Sequence, residues 1–586
     1  MRRAQQKPIG PPSAMRGPGL YHAFPATQQK SAWFSTASAA FFSPPATRFG
    51  GLGQATPLTG AGTGPNTPDG LSLASCSGDA AGDDCLVPTG PSPSLAPSLD
   101  LDRRQALLGV AIVVLAPAAS FAQTAPTKLP ETKAAEAKTS ATPHILRLRA
   151  EVQPRKIGTP EQSESRLFRL TELNAEGKPV TSGFPAFRAK AGDTVTLEIE
   201  NTLDQPTGFH IRGLRGPNAA DGMPGLTTTP IQPGAKASLT FPATQTGTFL
   251  IAPTLAERVS EQNARGLHAA FIVEEANPPP FDHDLVLAVS DWRLDDKGVL
   301  VEDFLSRPDS SRVGRLGNRL AANGLPAPGK MSVRPGARLR IRMINVSNAR
   351  VIPLKVSGFA AEVYSIDSTP CQPFDPLKRT VILAPNSRIE MVLQAPPEAG
   401  KDGAIEAKVG NGIPIFAYRT EGEPLPAKDK LAALPDPGLP PAIRLQDATR
   451  VDVAITGGIG TEPQEAEPAA LTKRFPDPKR IFTINGSKNE GFAGKPLVSV
   501  KRGKVLVLAL MNQTSWPQVI AVHGHAFRLL HPFDDGWEPY FLDTLYMTPK
   551  TTARIALIAD NPGKWAIRST IAEHFGTGVA TWFEVT

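Results

Sequence analysis

A turn, a strand and an asparagine recur three times along this chain, and that repeat limits the fold more than any other feature. Ala191-Gly192-Asp193 leads into Thr194-Val195-Thr196-Leu197-Glu198-Ile199-Glu200 and closes on Asn201. Pro335-Gly336 leads into the run Arg338 to Ile344 and closes on Asn345, and Arg502-Gly503 leads into Val505 to Met511 and closes on Asn512. The copies stand roughly 150 residues apart, a period that must be read before any fold is assigned. Polar and apolar side chains alternate in the first copy, as a half-buried strand requires. Sixty prolines and 51 glycines punctuate the chain, which favours short strands joined by turns over long helices. The expected class is all-β, built as three β-sandwich domains.

The first hundred residues do not share this pattern. Residues 1–100 are rich in Pro, Gly, Ser, Ala and Thr without apolar periodicity, a composition that cannot offset its ordering entropy by burial. Asp102-Arg103-Arg104 then precedes the short apolar run Gly109 to Ala116, and small residues end the segment at Ala119-Ser120-Phe121-Ala122. Paired arginines, a short apolar stretch and a small-x-small site are the signature of a twin-arginine export signal over 101–122. The run is too short to span a bilayer, so no membrane anchor is expected once the signal is removed. A signal that begins a hundred residues in implies that translation starts near Val87 and that 1–100 is an over-extended or disordered leader. A linker over 123–142 follows. The expected domains are 143–276, 281–420 and 471–586, with Ala276-Asn277-Pro278-Pro279-Pro280 and a Pro/Ala/Glu-rich linker over 421–470 between them. Basic residues are scattered without a dense block, which excludes a nucleic-acid footprint. Cys76 and Cys85 fall in the leader, so Cys371 is left as a lone thiol in a turn and no disulfide framework is available.

Five stretches carry a resemblance to a known family. They are Phe209-His210-Ile211-Arg212-Gly213, Leu250-Ile251-Ala252-Pro253-Thr254, Asp291-Trp292, Trp516 to His525, and Asp560-Asn561-Pro562-Gly563-Lys564-Trp565 with the residues after it. In order and spacing they resemble the ligand segments and structural signatures of the multicopper oxidases, over residues 144–586. The resemblance implies three cupredoxin-like Greek-key sandwiches. It also implies where copper would bind. At the blue copper centre, Gln518 stands for the first histidine, Ser569 for the cysteine, Val579 for the axial methionine, and His574 alone is kept. At the trinuclear cluster, His210 and His523 are kept, while Arg212, Ala252, Thr254, Ala521, Arg568 and Thr570 stand at the other positions.

A blue copper site depends on a thiolate with two imidazoles, and a serine hydroxyl does not replace the thiolate. Arginine adds fixed positive charge where a cation should sit. The expectation is therefore no copper and no catalysis, in a periplasmic scaffold or binding protein with a protein partner. It would be similar in kind to the copper-free, twin-arginine-exported division protein of enterobacteria. The alternative is a laccase-like oxidoreductase with residual copper, His210 and His523 forming a weak pair. Arg212 and Arg568 are further expected to form a basic interior site for a small anion, should they converge.

Overall fold

The computed structural model describes residues 143–158, 163–180, 183–486, 492–534 and 536–586. The leader over 1–100, the export signal over 101–122 and the linker over 123–142 lie outside the described residues. Six sheets pair into three cupredoxin-like sandwiches, with two four-stranded sheets first, then seven and five strands, then two of five. The chain is mostly β, and no helix among the described residues is long and apolar enough to cross a membrane.

The repeat seen in the sequence is also a repeat of topology. Strand Thr194–Asn201 pairs parallel with Pro143–Arg155 on one side and antiparallel with Lys236–Pro242 on the other. Arg338–Asn345 sits in the same way between His283–Trp292 and Arg388–Gln394, and Val505–Asn512 between Thr449–Gly457 and Thr551–Ile558. Each repeat strand is thus the centre of its sheet, and its apolar side chains feed a separate core. Val195 and Leu197 pack with Phe249 and Phe271; Leu339 and Ile341 with Met391; Leu506 and Leu508 with Ile555 and Phe583.

The closing asparagine has one job in all three copies. Asn201 donates from Nδ2 to the carbonyls of Gln205 and Ile231, both at 2.9 Å, and its Oδ1 accepts from Leu203 N–H at 3.1 Å. Asn345 donates to Arg350 and Leu383 carbonyls at 2.7 Å and accepts from Ser347 N–H. Asn512 donates to Trp516 and Thr548 carbonyls at 2.9 Å and accepts from Thr514 N–H. All three side chains are buried, and the amide supplies both donors and an acceptor to backbone groups that have left the ladder.

Two expectations change. The segment 421–470 contains strand Thr449–Gly457, which belongs to the last sandwich, so that domain begins before 471. Its alternation is masked in the sequence by the surrounding Pro/Ala/Glu composition. Cys371 lies within strand Thr369–Phe374, not in a turn, and burial with Glu390 nearby pushes its thiol up to about 12.

Buried ion pairs hold the domains together. Arg340 bridges Glu275 at 2.6 Å and Glu390 at 2.5 Å, while Arg342 and Thr248 also bond Glu390. Asp543 of the last sandwich pairs with Arg388 of the middle one and, at 3.4 Å, with Arg212 of the first. Removing the Asn512 side chain as Asn512→Ala strands two carbonyls and an N–H, each loss costing about 1–3 kcal/mol. The urea midpoint should fall by an amount equivalent to roughly 3 kcal/mol or more, with an unchanged slope.

Candidate functional site

Two sheet faces meet at a seam between the first and last sandwiches. From the first come strands Phe209–Arg212 and Gly247–Pro253, antiparallel, with His210 opposite Ala252 and Arg212 opposite Leu250. From the last come Gln518–Val522 and Gly563–Ser569, with Ala521 opposite Arg568. Side chains at i and i+2 share a face, as do cross-strand partners. That rule puts His210, Arg212 and Ala252 on one wall and Ala521 and Arg568 on the other.

His523 and His525 stand two residues apart but do not share a strand face. The strand ends at Val522, and Gly524 takes a φ of +66°. A Cβ there would lie 2.3 Å from the Trp565 ring, so glycine is required. His523 turns into the seam, whereas His525 packs edge-on against Trp565 with ring centres 5.5 Å apart.

His210 and His523 stack with ring centres 3.8 Å apart and planes 11° from parallel. Asp221 braces both. Its carbonyl accepts from His210 Nδ1 at 2.7 Å, and its Oδ1 lies 3.3 Å from that nitrogen and 3.1 Å from His523 Nδ1. Gly222, at φ +70°, lets the loop pass beneath Phe209, whose carbonyl oxygen would be 2.1 Å from an added Cβ. The two Nδ1 contacts assign the Nδ1–H tautomer to both rings. His523 Nε2 then accepts from Arg568 Nε at 3.2 Å. One ligand atom each from His210, Asp221 and His523 lie within 4.8 Å of one another, the grouping among the described residues that could hold a metal ion.

Burial and the cations Arg212 and Arg568 lower the proton affinity of His210; Asp221 opposes them. Burial, with His210 beside it, pushes His523 well below the usual range. Burial works against the Asp221 charge, yet the imidazoles of His523 and His210 hold its carboxyl below the ordinary carboxylate range. Arg568 is pushed down to about 9, first by burial and then by Arg212, and stays cationic at neutral pH. Arg212 donates to Thr544 Oγ1 at 3.1 Å and faces Asp543. Thr254 and Thr570 are buried near the strand ends, Thr254 directed at the Gly222 carbonyl at 3.5 Å.

The remaining predicted positions gather inside the last sandwich. His574, on helix Ala572–Gly576, has Nδ1 3.1 Å from Gln518 Oε1 and donates from Nε2 to the Arg312 carbonyl at 2.6 Å. The Arg312 carbonyl takes the single N–H of the neutral ring, which lies 4.6 Å from the Phe482 ring. Ser569 Oγ accepts from Ile571 N–H at 3.1 Å, and Ser569 N–H donates to the Val579 carbonyl at 2.9 Å. Gln518, Ser569, His574 and Val579 are fully buried. Sequence reasoning missed Asp221, Asp543 and Arg388 as members of the seam. Asp221 stands 11 residues after His210 in an Asp-Gly turn, a findable signal; Asp543 has no local signature.

This fold and seam define a three-sandwich cupredoxin-like protein. Two sequence profiles described as multicopper oxidase match residues 181–278 and 461–586. The chain is 25% identical over 431 residues to the multicopper oxidase MmcO of Mycobacterium tuberculosis, covering 68% of this chain and 80% of that one. It is 24% identical over 477 residues to laccase-2 of Cryptococcus neoformans, covering 67% and 78%. Among solved structures it is similar to a multi-copper oxidase from Pseudomonas thermotolerans, with TM-score 0.65 and 26% identity over 76% of this chain and all of that one. In both matched stretches and in fold the chain is similar to the multicopper oxidases.

The buried imidazoles give a pH prediction. His268, His525 and His574 are each pushed down to about 4, chiefly by burial, and His210 and His523 also lie low. Unfolding therefore takes up protons below pH ~6.5, and stability present at neutral pH is lost as pH falls, by up to about 1.4 kcal/mol per unit for each ring. Asp367, pushed up to about 6 by burial and Asp543, opposes this over part of the window with one proton against several. The urea midpoint should drop steadily from pH 7 to pH 5, and a flat profile would contradict the neutral, buried assignment.

Proposed function

We propose that this chain is an exported, non-catalytic member of its family, working in the periplasm as a scaffold or binding protein without resident copper. The observation that carries this reading is the Arg568 to His523 hydrogen bond of 3.2 Å. The Nε2 lone pair with which that imidazole would bind a metal is given to a fixed cation. Copper at the seam would also sit beside Arg212 and Arg568, with Ala252, Thr254, Ala521 and Thr570 offering no imidazole.

At the second cluster the donor set is equally unsuited. A blue copper centre takes a thiolate and two imidazoles, and the residues here are the Ser569 hydroxyl, the Gln518 amide and one imidazole. His574 is already engaged at both ring nitrogens, and Val579 has no axial donor. These residues do not fit copper, so no electron-transfer or oxygen-reduction step is drawn. Export rests on Arg103-Arg104 and the apolar run after them. The partner class is a periplasmic protein, since no dense basic block suits nucleic acid.

A second reading is a copper-binding oxidoreductase. The grouping of His210, Asp221 and His523 supports it, and so do the names of the relatives, which are oxidases and laccases. Metal analysis separates the two. Protein produced and exported with ample copper is expected to retain far less than one copper per chain, to lack the intense thiolate-to-copper absorption, and to leave phenols unoxidised. Near-stoichiometric copper with phenol oxidation overturns the first reading. The double variant Gln518→His/Ser569→Cys, which rebuilds a two-imidazole thiolate site around His574, should gain the intense visible band with Cu(II), whereas Ser569→Cys alone should not.

A further inference from the structure

The seam holds more buried hydrogen-bond donors than the protein satisfies. Arg212 Nε and Nη1, Arg568 Nη2 and the Thr570 hydroxyl have no hydrogen-bond partner among the described residues, although all three side chains are buried. The two arginines belong to one locality, and Thr570 follows Arg568 by two residues. Arg568 bonds His523, His523 stacks on His210, and Arg212 is two residues along the same strand face from His210. Arg212 is also the strongest charge acting on Arg568. Methyl groups of Ala252 and Ala521 stand opposite His210 and Arg568 across the strand pairs.

Among the described residues Arg568 has no carboxylate within 4.0 Å, whereas Arg212 and Arg388 share Asp543. Buried guanidinium groups are ordinarily paired, because an isolated buried charge is costly. The Asp221 carboxylate is drawn to the two imidazoles, and only its Oδ2 is left over as an acceptor. Donors therefore outnumber acceptors. A water molecule accepts about two hydrogen bonds and must donate about two more. A halide accepts from every direction and donates nothing, which fits an excess of cationic N–H groups.

We propose that the seam between the first and last sandwiches binds one small monovalent inorganic anion, of chloride size, between Arg212 and Arg568 with Thr570 as an additional donor. The ion accepts the guanidinium N–H groups of a cation that no carboxylate reaches within 4.0 Å. It acts as a structural ligand that ties the two sandwiches together. The site lies behind Phe575. The Arg568 guanidinium lies 4.7 Å over the Phe575 ring, and that ring lines an open groove of about 710 Å³ between the two sandwiches. Lys479 and Arg480, with Glu257 and Asp477, stand on the same groove.

The inference rests on the copper-free reading, and one crystal experiment separates their failures. The full protein is crystallised in sodium bromide and anomalous scattering is recorded at the bromine and copper edges. A bromine peak between Arg212 and Arg568 is the expected result. A copper peak at His210 and His523 overturns the copper-free reading itself. No peak at either edge overturns the anion proposal alone, leaving water on the donors. In solution, the melting temperature should rise with the logarithm of bromide concentration above Kd, and not with gluconate at equal ionic strength. Arg568→Met should abolish the bromide dependence. Should that variant fail to fold, Thr570→Val keeps both cations and should weaken bromide binding roughly tenfold, the loss of one hydrogen bond to a charged ligand. An unchanged bromide dependence in every variant that folds overturns the proposal.

Discussion

One carboxylate holds three domains in register. Asp543, carried by the last sandwich, faces Arg388 of the middle sandwich and Arg212 of the first, while Asp367 lies beside it and accepts N–H groups from Asp543 and Thr544. Charges this deeply buried are tolerated only with close partners, and removing one partner from such a group costs about 3–5 kcal/mol. The angle between the sandwiches is therefore set by where these four side chains can satisfy one another. The position of every group in the seam follows from that angle.

Within the seam the same logic fixes protonation. Two imidazoles stack face to face, a geometry that would be severe for two cations but is acceptable for two neutral rings. Asp221 takes one N–H contact from each ring, and Arg568 donates into the back of His523. The same arginines set two fixed cations beside these imidazoles. The sandwiches are similar to those of multicopper oxidases, and the interior polar groups of the seam form a guanidinium, imidazole and carboxylate network.

Much of this could be read from the chain itself. The three central strands were marked by their turns and closing asparagines, because a buried amide serving two carbonyls tolerates few substitutes. The positions of His210, Arg212, Ala252, Ala521, Arg568 and the Gln518, Ser569, His574 and Val579 set followed from motif order. What could not be read was contact across domains. Asp543 sits in an unremarkable Leu-Asp-Thr stretch and gains its role only from residues hundreds of positions away. The strand Thr449–Gly457 was hidden inside a proline-rich segment. His523 and His525 look like strand neighbours until the positive φ of Gly524 sends them to different surroundings.

Sequence separation has a consequence for how this molecule is made. Each central strand pairs with a parallel partner that emerged a few tens of residues earlier, so each sandwich can close on its own soon after its segment is complete. The Arg212 to Asp543 pair spans 331 residues. Contacts of such separation carry a large loop-closure entropy and form late. The seam is then the last part of the molecule to exist, absent from any intermediate in which the first two sandwiches are already folded. Its completion marks a finished chain, so a probe that responds to the seam reports assembly of the whole protein and not of any one domain.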